Sequence, residues 1–453
     1  MKSRWEVCND LLEGRHAVFQ KISEYLPQEI KETDKAYKAR VRRSALHNIY
    51  KRAIQTLVGY TFQSPITVSN LPKELEYLLY NANGSGSSIT DLAAKLFLDA
   101  VHYGKSHAYV DFPKNTLSNV SYIEFMESGL RPYIVVVSPE NVIGWRVEYD
   151  NGIEVLKNVR ISEVAYDEDF DFNEFQVRQV RLVEPDLITI YKAYEDKYDI
   201  ADAYENTLGK IPLLTAYANK KAPLVAYPLF EDLAHLNINH FQSLSDQINI
   251  LHFCRLPLLV ASGFDDDADN LEISANTLIV TNNDNANLRY VEINGQSVAS
   301  GRQLNQDLEN FAAKAGAEIL YTKSVARQTA EGRRTDQSEA LSTIQLVVRN
   351  IEQMVENAIK IAGEWIGVDA SDVSVSIGSD LTLKDDPNPV NALQLLQDMF
   401  GFNNEQMLEI AKIKGLVPSH IGAGTEPVNR QQLNPQPQNN EQSDNEDGQI
   451  EQV

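Results

Sequence analysis

The sequence predicts an α+β chain of several structural units, and three observations carry that reading. Hydrophobic residues recur at three- and four-residue steps over roughly 35–60, 228–253, 300–320 and 336–366, the signature of one-sided helices. Between the first two of these, residues 106–220 hold runs of β-branched and aromatic residues separated by turn signals such as Asp150-Asn151-Gly152. The length, 453 residues, exceeds one ordinary compact core and suggests two to four units.

Taken in order, Tyr37, Val41, Ala45, Ile49, Ala53 and Leu57 form the first helical stripe, closed by Gly59 and Pro65. Asn81–Ser88 reads as a flexible loop. A helix then runs from Ile89 to about Tyr103, with Asp91 near its positive end and Gly104 ending it. Ala108–Phe112, Tyr133–Val137, Val142–Tyr149, Phe175–Val183 and Leu187–Tyr194 are strands of a mostly antiparallel region, with Leu208–Leu214 as its last. At Pro228, a residue suited to a first helical turn, the pattern returns to helix. Leu229, Leu233, Leu236, Phe241, Leu244, Ile248 and Leu251 form its stripe, and the other face is Asn, Gln, Ser and Asp.

A small β-like insert follows over 257–299, with Leu256–Ala261, Thr277–Thr281 and Leu288–Ile293 as strands. The next helix shows Leu304, Leu308, Phe311, Ala315 and Ile319 on one side. Tyr321–Arg334 is a polar loop, and Asp336-Gln337-Ser338-Glu339 resembles a capping box opening a long helix to Trp365. Val373–Ile377 is a short strand, and 390–400 and 404–414 are short helices. Residues 426–453 are rich in Gln, Asn and Pro, with six acids and one arginine, and read as disordered.

Charge and cysteine content exclude several classes. The net charge of −23 argues against a surface that grips nucleic acid, whose phosphates demand Lys and Arg. The balance is uneven, since Lys35–Arg52 holds seven basic residues and no acid. Cys8 and Cys254 stand too far apart for a disulfide framework or a cysteine zinc site, and a reducing compartment fits. No stretch approaches the roughly 18–20 apolar residues that span a bilayer. Met1–Asp10 is charged, so a cleaved secretory leader is not expected.

Catalytic motifs are missing. Gly104-Lys105-Ser106 mimics the end of a phosphate loop, but Asp99 stands where its first glycine belongs. Asp265, Asp267 and Asp269 alternate like a calcium loop, but Asn270 and Asn276 replace its glycine and its bidentate glutamate. His235 and His240, five apart on one helix, share a face poorly and read as surface or interface residues rather than ligands. The chain carries no HExxH and no GxSxG nucleophile context. No enzyme activity, catalytic residue, cofactor or metal ligand is expected.

The order of elements, together with several strings, resembles the portal (head–tail connector) proteins of tailed bacteriophages. The strings are Tyr37-Lys38-Ala39-Arg40 through Asn48, Gly59-Tyr60-Thr61-Phe62-Gln63-Ser64-Pro65, Leu208-Gly209-Lys210-Ile211-Pro212-Leu213, Pro228-Leu229-Phe230-Glu231-Asp232-Leu233 and Pro257-Leu258-Leu259-Val260. The likeness covers roughly residues 30–415. Many portals carry Thr-Ala-Thr-Glu before the long helix; here the string is Gln328-Thr329-Ala330-Glu331, a shortened match.

What the resemblance implies is a ring, typically a dodecamer, around a DNA channel. Residues 1–227 would be an α/β wing, 228–256 and 300–320 the two-helix stem, and 257–299 a small α/β clip. Residues 321–336 would be the tunnel loop, 337–389 the long helix and inner wing, and 390–425 a helical crown before the 426–453 tail. Partners would be the large terminase subunit, the tail adaptor, capsid proteins and double-stranded DNA passing without sequence reading, with no membrane. The location would be the portal vertex of the virion, after assembly in the host cytoplasm.

Two clusters are the candidate sites. Asp265, Asp266, Asp267 and Asp269 tip the clip and could meet a basic partner surface; they are equally readable as an exposed turn. Lys323, Arg327, Arg333 and Arg334 form a basic island against Glu331. They could touch DNA phosphates in the channel, pair with acids such as Glu331 and Asp336 or a neighbouring subunit, or simply be solvated. An acidic wall elsewhere would let DNA slide without sticking. Two other classes stay open, an acidic scaffold or adaptor of the virion without a channel and a metal-dependent enzyme using the acidic clusters.

Overall fold

The computed structural model describes residues 1–113, 130–168, 174–194, 197–254, 258–262, 287–291, 296–312 and 330–378; over 258–262, 287–291 and 330–342 the backbone alone is described. The chain divides into Met1–Leu381 and Thr382–Val453, and every element below lies in the first. The expected helices after 390 and the 426–453 tail fall outside the described residues.

Three N-terminal helices, α1 (Lys2–Glu13), α2 (Arg15–Gln20) and α3 (Ile22–Tyr25), precede the stripe read from sequence. That stripe is two helices, α4 (Asp34–Arg43) and α5 (Ile49–Thr61), not one. The break has a local cause. Ser44 leaves α4 in an extended conformation, and the Asn48 side chain caps α5 by accepting from Lys51 N–H. Thr33 caps α4 in the same way through Ala36 N–H. Part of the basic run of this region is tied into the fold: buried Arg40 donates to both carboxylate oxygens of Glu32 at 3.0 and 2.8 Å, and Lys51 donates to the Glu13 carbonyl, while Lys35, Lys38, Arg42 and Arg52 are exposed. Arg40 in turn holds the Glu32 carboxyl below its ordinary range.

After β1 (Thr67–Ser69) and a 3-10 turn at Lys73–Leu79, the 81–88 segment is a loop, as expected, with hydrogen bonds among its own residues. Asn83 Oδ1 accepts from Ser85 and Ser87 N–H, and Asn81 Oδ1 accepts from Gly86 N–H. It leads into α6 (Ile89–Tyr103), which a Ser88–Asp91 capping box opens and left-handed Gly104 (φ 83°) closes. A side chain at Gly104 would also collide with the Tyr227 carbonyl, so both backbone angle and space require glycine.

β2 (Lys105–Asp111) follows directly and is buried along its whole length. It is the middle strand of a three-stranded antiparallel sheet, between β3 (Tyr133–Val137) and β9 (Leu213–Tyr217). Helix leads into strand here, the reverse of a phosphate loop, and Lys105 and Ser106 are interior. A second sheet is a five-stranded antiparallel meander of β4 (Val142–Asp150), β5 (Ile153–Glu168), β6 (Glu174–Val183), β7 (Leu187–Tyr194) and β8 (Lys197–Glu205). Tyr109 of β2 packs with Val142, Val159, Ile161, Val183 and Ile188 from this meander. β10 (Lys220–Ala222) and β11 (Val225–Ala226) form a short hairpin beside Gly104.

The remaining elements are α7 (Glu231–Cys254), the ladder of β12 (Leu258–Ser262) with β13 (Asn287–Val291), α8 (Gln296–Ala312), α9 (Ala330–Ile366) and β14 (Ser374–Ser376). α9 begins at Ala330, six residues before the capping box. Ala330-Glu331 favours helix and no proline interrupts, so one Gly332, costing about 1 kcal/mol, does not stop it. Its buried face, Ile344, Val348, Ile351, Val355, Ala358 and Ala362, joins Leu92, Leu96 and Phe97 of α6 in the main core. β14 pairs with β1, Val375 opposite Val68, and Glu352 and Glu356 of α9 accept from Ile377 and Val375 N–H, fastening that pair.

Candidate functional site

The two clusters named from sequence lie mostly beyond the described residues. Asp265, Asp266, Asp267 and Asp269 fall in the connection between β12 and β13, and Lys323 and Arg327 in that between α8 and α9. Arg333 and Arg334 lie within the first turns of α9, a helix rather than the loop expected, and only their backbone is described. Among the described residues, a densely built polar site is the seam where α7 and α8 meet the α4–α5 elbow.

The seam is built from residues on the α7 face that sequence marks as polar. Asn237, fully buried, donates through Nδ2 to the His47 carbonyl and accepts through Oδ1 from Tyr50 N–H, both at 2.9 Å. Two turns on, Ser245 Oγ shares a 2.6 Å hydrogen bond with Ser44 Oγ. Arg43 Nη2 donates to Asn249 Oδ1 at 2.6 Å, and Arg40 reaches Asp246 at 3.7 Å. Gln242 donates to the Tyr25 carbonyl, and Gln247 to the Val298 carbonyl at the start of α8. Gly301 of α8 leaves the space that Gln247 Oε1 fills. These bonds satisfy groups that would each cost about 1–3 kcal/mol if buried alone.

The apolar stripes follow expectation only in part. Leu233 and Phe241 of α7 are fully buried in the main core, while Leu236, Leu244, Ile248 and Leu251 are half-buried. On α8 the buried positions are Asn305 and Ala312, while Leu304 and Phe311 stand 51% and 56% exposed. These two are a heptad apart and so share a helix face.

At the middle of the seam His240 is 2% exposed, and neither ring nitrogen has a hydrogen-bond partner. Its Nε2 lies 3.3 Å from Glu309 Oε1 on α8. The His47 ring stands edge-on to it with centroids 5.9 Å apart. Burial holds His240 below the ordinary histidine range, with His47 adding to the effect and Glu309 opposing it. Sequence reasoning missed His47 and Glu309, which join His240 only through tertiary packing. The one available signal was the lysine- and arginine-free polar face of a long helix, which is the mark of a face that will be buried.

A second polar cluster surrounds β2. Lys105 donates its Nζ to the Leu224 carbonyl at 2.6 Å and lies 5.2 Å from the Trp145 ring centre; burial lowers its pKa to about 8. His102 bridges Tyr50 and Asn9, and burial lowers it to about 4. Burial raises Asp99 to about 6 against the pull of Lys95. At the far end Arg181 pairs with Asp111 and Glu163. These groups are interior fasteners between the two sheets and the helices. No helix among the described residues is long and apolar enough to cross a membrane.

A family model described as "Domain of unknown function (DUF4055)" matches residues 228–366, from the approach to α7 through the end of α9. A comparison with curated proteins finds no match. Among solved structures, the chain is similar to one described as "Neck of empty GTA particle computed with C6 symmetry", at 10% identity and TM-score 0.44, covering 84% of this chain and 93% of that one. It is similar to "Virion of native gene transfer agent (GTA) particle" at 8% identity and TM-score 0.43, covering 83% and 92%. It is similar to "Neck of native GTA particle computed with C12 symmetry" at 8% identity and TM-score 0.42, covering 84% and 94%.

Proposed function

We propose that this chain is a portal-type subunit that closes into a ring around DNA at the vertex of a phage or phage-like capsid. One observation carries the reading: the α7–α8 hairpin leaves Leu304 and Phe311 of one α8 face to solvent. Buried polar seams are costly to assemble, and an exposed apolar helix face marks a surface for another protein. A head-to-tail contact whose rotation closes makes a ring, with a dodecamer as the expected number. In that ring Lys323, Arg327, Arg333 and Arg334 would face the DNA phosphates, and the β12–β13 insert would dock the terminase and tail adaptor through Asp265, Asp266, Asp267 and Asp269. No catalytic step is proposed.

Negative-stain images and light scattering of the purified chain test this. Rings many times 50.9 kDa are the expected result. Persistent monomer at high concentration across salt conditions would overturn it and favour the acidic scaffold, to which the net charge of −23 lends itself.

A further inference from the structure

We infer that His47, His240 and Glu309 form a binding site for a borderline divalent transition metal of the zinc class. The three come from three separate elements: the α4–α5 elbow, the middle of α7 and the last turns of α8. Each offers one ligand atom, and these atoms lie within 4.8 Å of one another. Two imidazoles and one carboxylate are a donor set that suits zinc, with a fourth position left to water.

The geometry is close to what such an ion needs. Bonds of about 2.0–2.1 Å in a tetrahedron place ligand atoms roughly 3.3–3.4 Å apart. His240 Nε2 and Glu309 Oε1 already stand 3.3 Å apart. The remaining edges, at most 4.8 Å, close by a side-chain adjustment of His47, whose ring is exposed. The position of the elbow itself is fixed, because Asn237, one turn before His240 on α7, holds the His47 carbonyl.

His240 supplies the independent evidence. A histidine 98% removed from solvent normally satisfies its ring nitrogens, yet both of these lack a hydrogen-bond partner while one faces a carboxylate. A cation between His240 Nε2 and Glu309 would satisfy that nitrogen and the carboxylate, leaving Nδ1 as the N–H tautomer, and would bolt the hairpin to the N-terminal helices. The inference is independent of ring formation, since all three ligands lie on one chain.

Full-length, untagged protein is stripped with chelator, dialysed, and titrated with Zn2+ by calorimetry, and with Co2+ by visible absorption. The expected result is about one Zn2+ per chain, a Co2+ d–d band in the range of a four-coordinate site, and a raised thermal midpoint. His47→Gln and Glu309→Gln, at exposed or half-exposed positions, each weaken Zn2+ binding tenfold or more, with an unchanged far-UV CD spectrum. His240→Gln abolishes it, but the two milder variants decide the matter should that one misfold. Failure of the stripped protein to take up stoichiometric Zn2+ overturns the site. So does binding that neither His47→Gln nor Glu309→Gln alters.

Discussion

The body built on α6, β2, β9 and α9 and the hairpin of α7 and α8 differ in what they bury and what they leave exposed. In the body, apolar stripes face inward: Leu96, Phe97, Ile351 and Val355 are fully buried. In the hairpin, polar Asn237, His240 and Ser245 are buried alongside Leu233, Ala234 and Phe241, while Leu304 and Phe311 are exposed. The body closes its core within one chain. The hairpin attaches through polar groups as well as the apolar start of α7, and it leaves Leu304 and Phe311 of α8 uncovered. An uncharged polar face on a long helix can therefore be buried beside its apolar one.

The largest expected effect comes from truncating a core phenylalanine of the body. Phe97→Ala in the body removes a fully buried ring and should cost about 3–5 kcal/mol in urea unfolding of the unassembled chain. A loss under 1 kcal/mol would mean that the body is not the stability core described here. In the seam, Asn237→Ala leaves Tyr50 N–H and the His47 carbonyl without this partner, so a cost of about 2 kcal/mol is expected. Asn237→Ala with wild-type stability would mean that the buried polar seam is not what attaches α7.

Lys105 gives the body a pH signature. Its folded pKa, about 8, lies below the ordinary lysine value, so between pH 8 and pH 10.4 the unfolded chain binds more protons at this site. Stability from this group therefore rises as pH increases through 8, by at most about 1.4 kcal/mol per pH unit. Cys8, which burial raises to about 11, acts in the opposite sense above pH 9. The difference between wild type and Lys105→Met over pH 8–9 isolates the lysine, and identical slopes would place its ammonium in contact with water. The smallest effect belongs to Phe311→Ala, which should change the unassembled chain's stability by about 0.5 kcal/mol or less. A multi-kcal/mol loss would show that its ring is buried within one chain.

Sequence made the body largely legible because local chemistry and burial agree there. Asp91 and Gly104 mark the ends of α6 as expected, Tyr133–Val137 and Leu187–Tyr194 are strands at those limits, and Val373–Ile377 contains β14. The misses have physical causes. β5 was hidden because its distal end alternates exposed Val164 and Tyr166 with Glu163 and Asp167, which reads as an acidic loop. β8 was hidden by Asp199, Asp202 and Glu205 in the same way. Ser44 and Asn48 broke a stripe whose apolar spacing ran straight through them. Pro212 delayed the final strand to Leu213. At the seam, His47 and Glu309 are separated from His240 by 193 and 69 residues, and no periodicity connects such positions.

The most direct measurement of the hairpin as a ring interface is light scattering on wild type beside a Leu304→Lys/Phe311→Lys double variant. The expected result is a ring-sized wild-type species and a double variant that stays at the 50.9 kDa chain mass with an unchanged far-UV CD spectrum. Two folded proteins of equal assembled mass would contradict the assignment of that face to subunit contact.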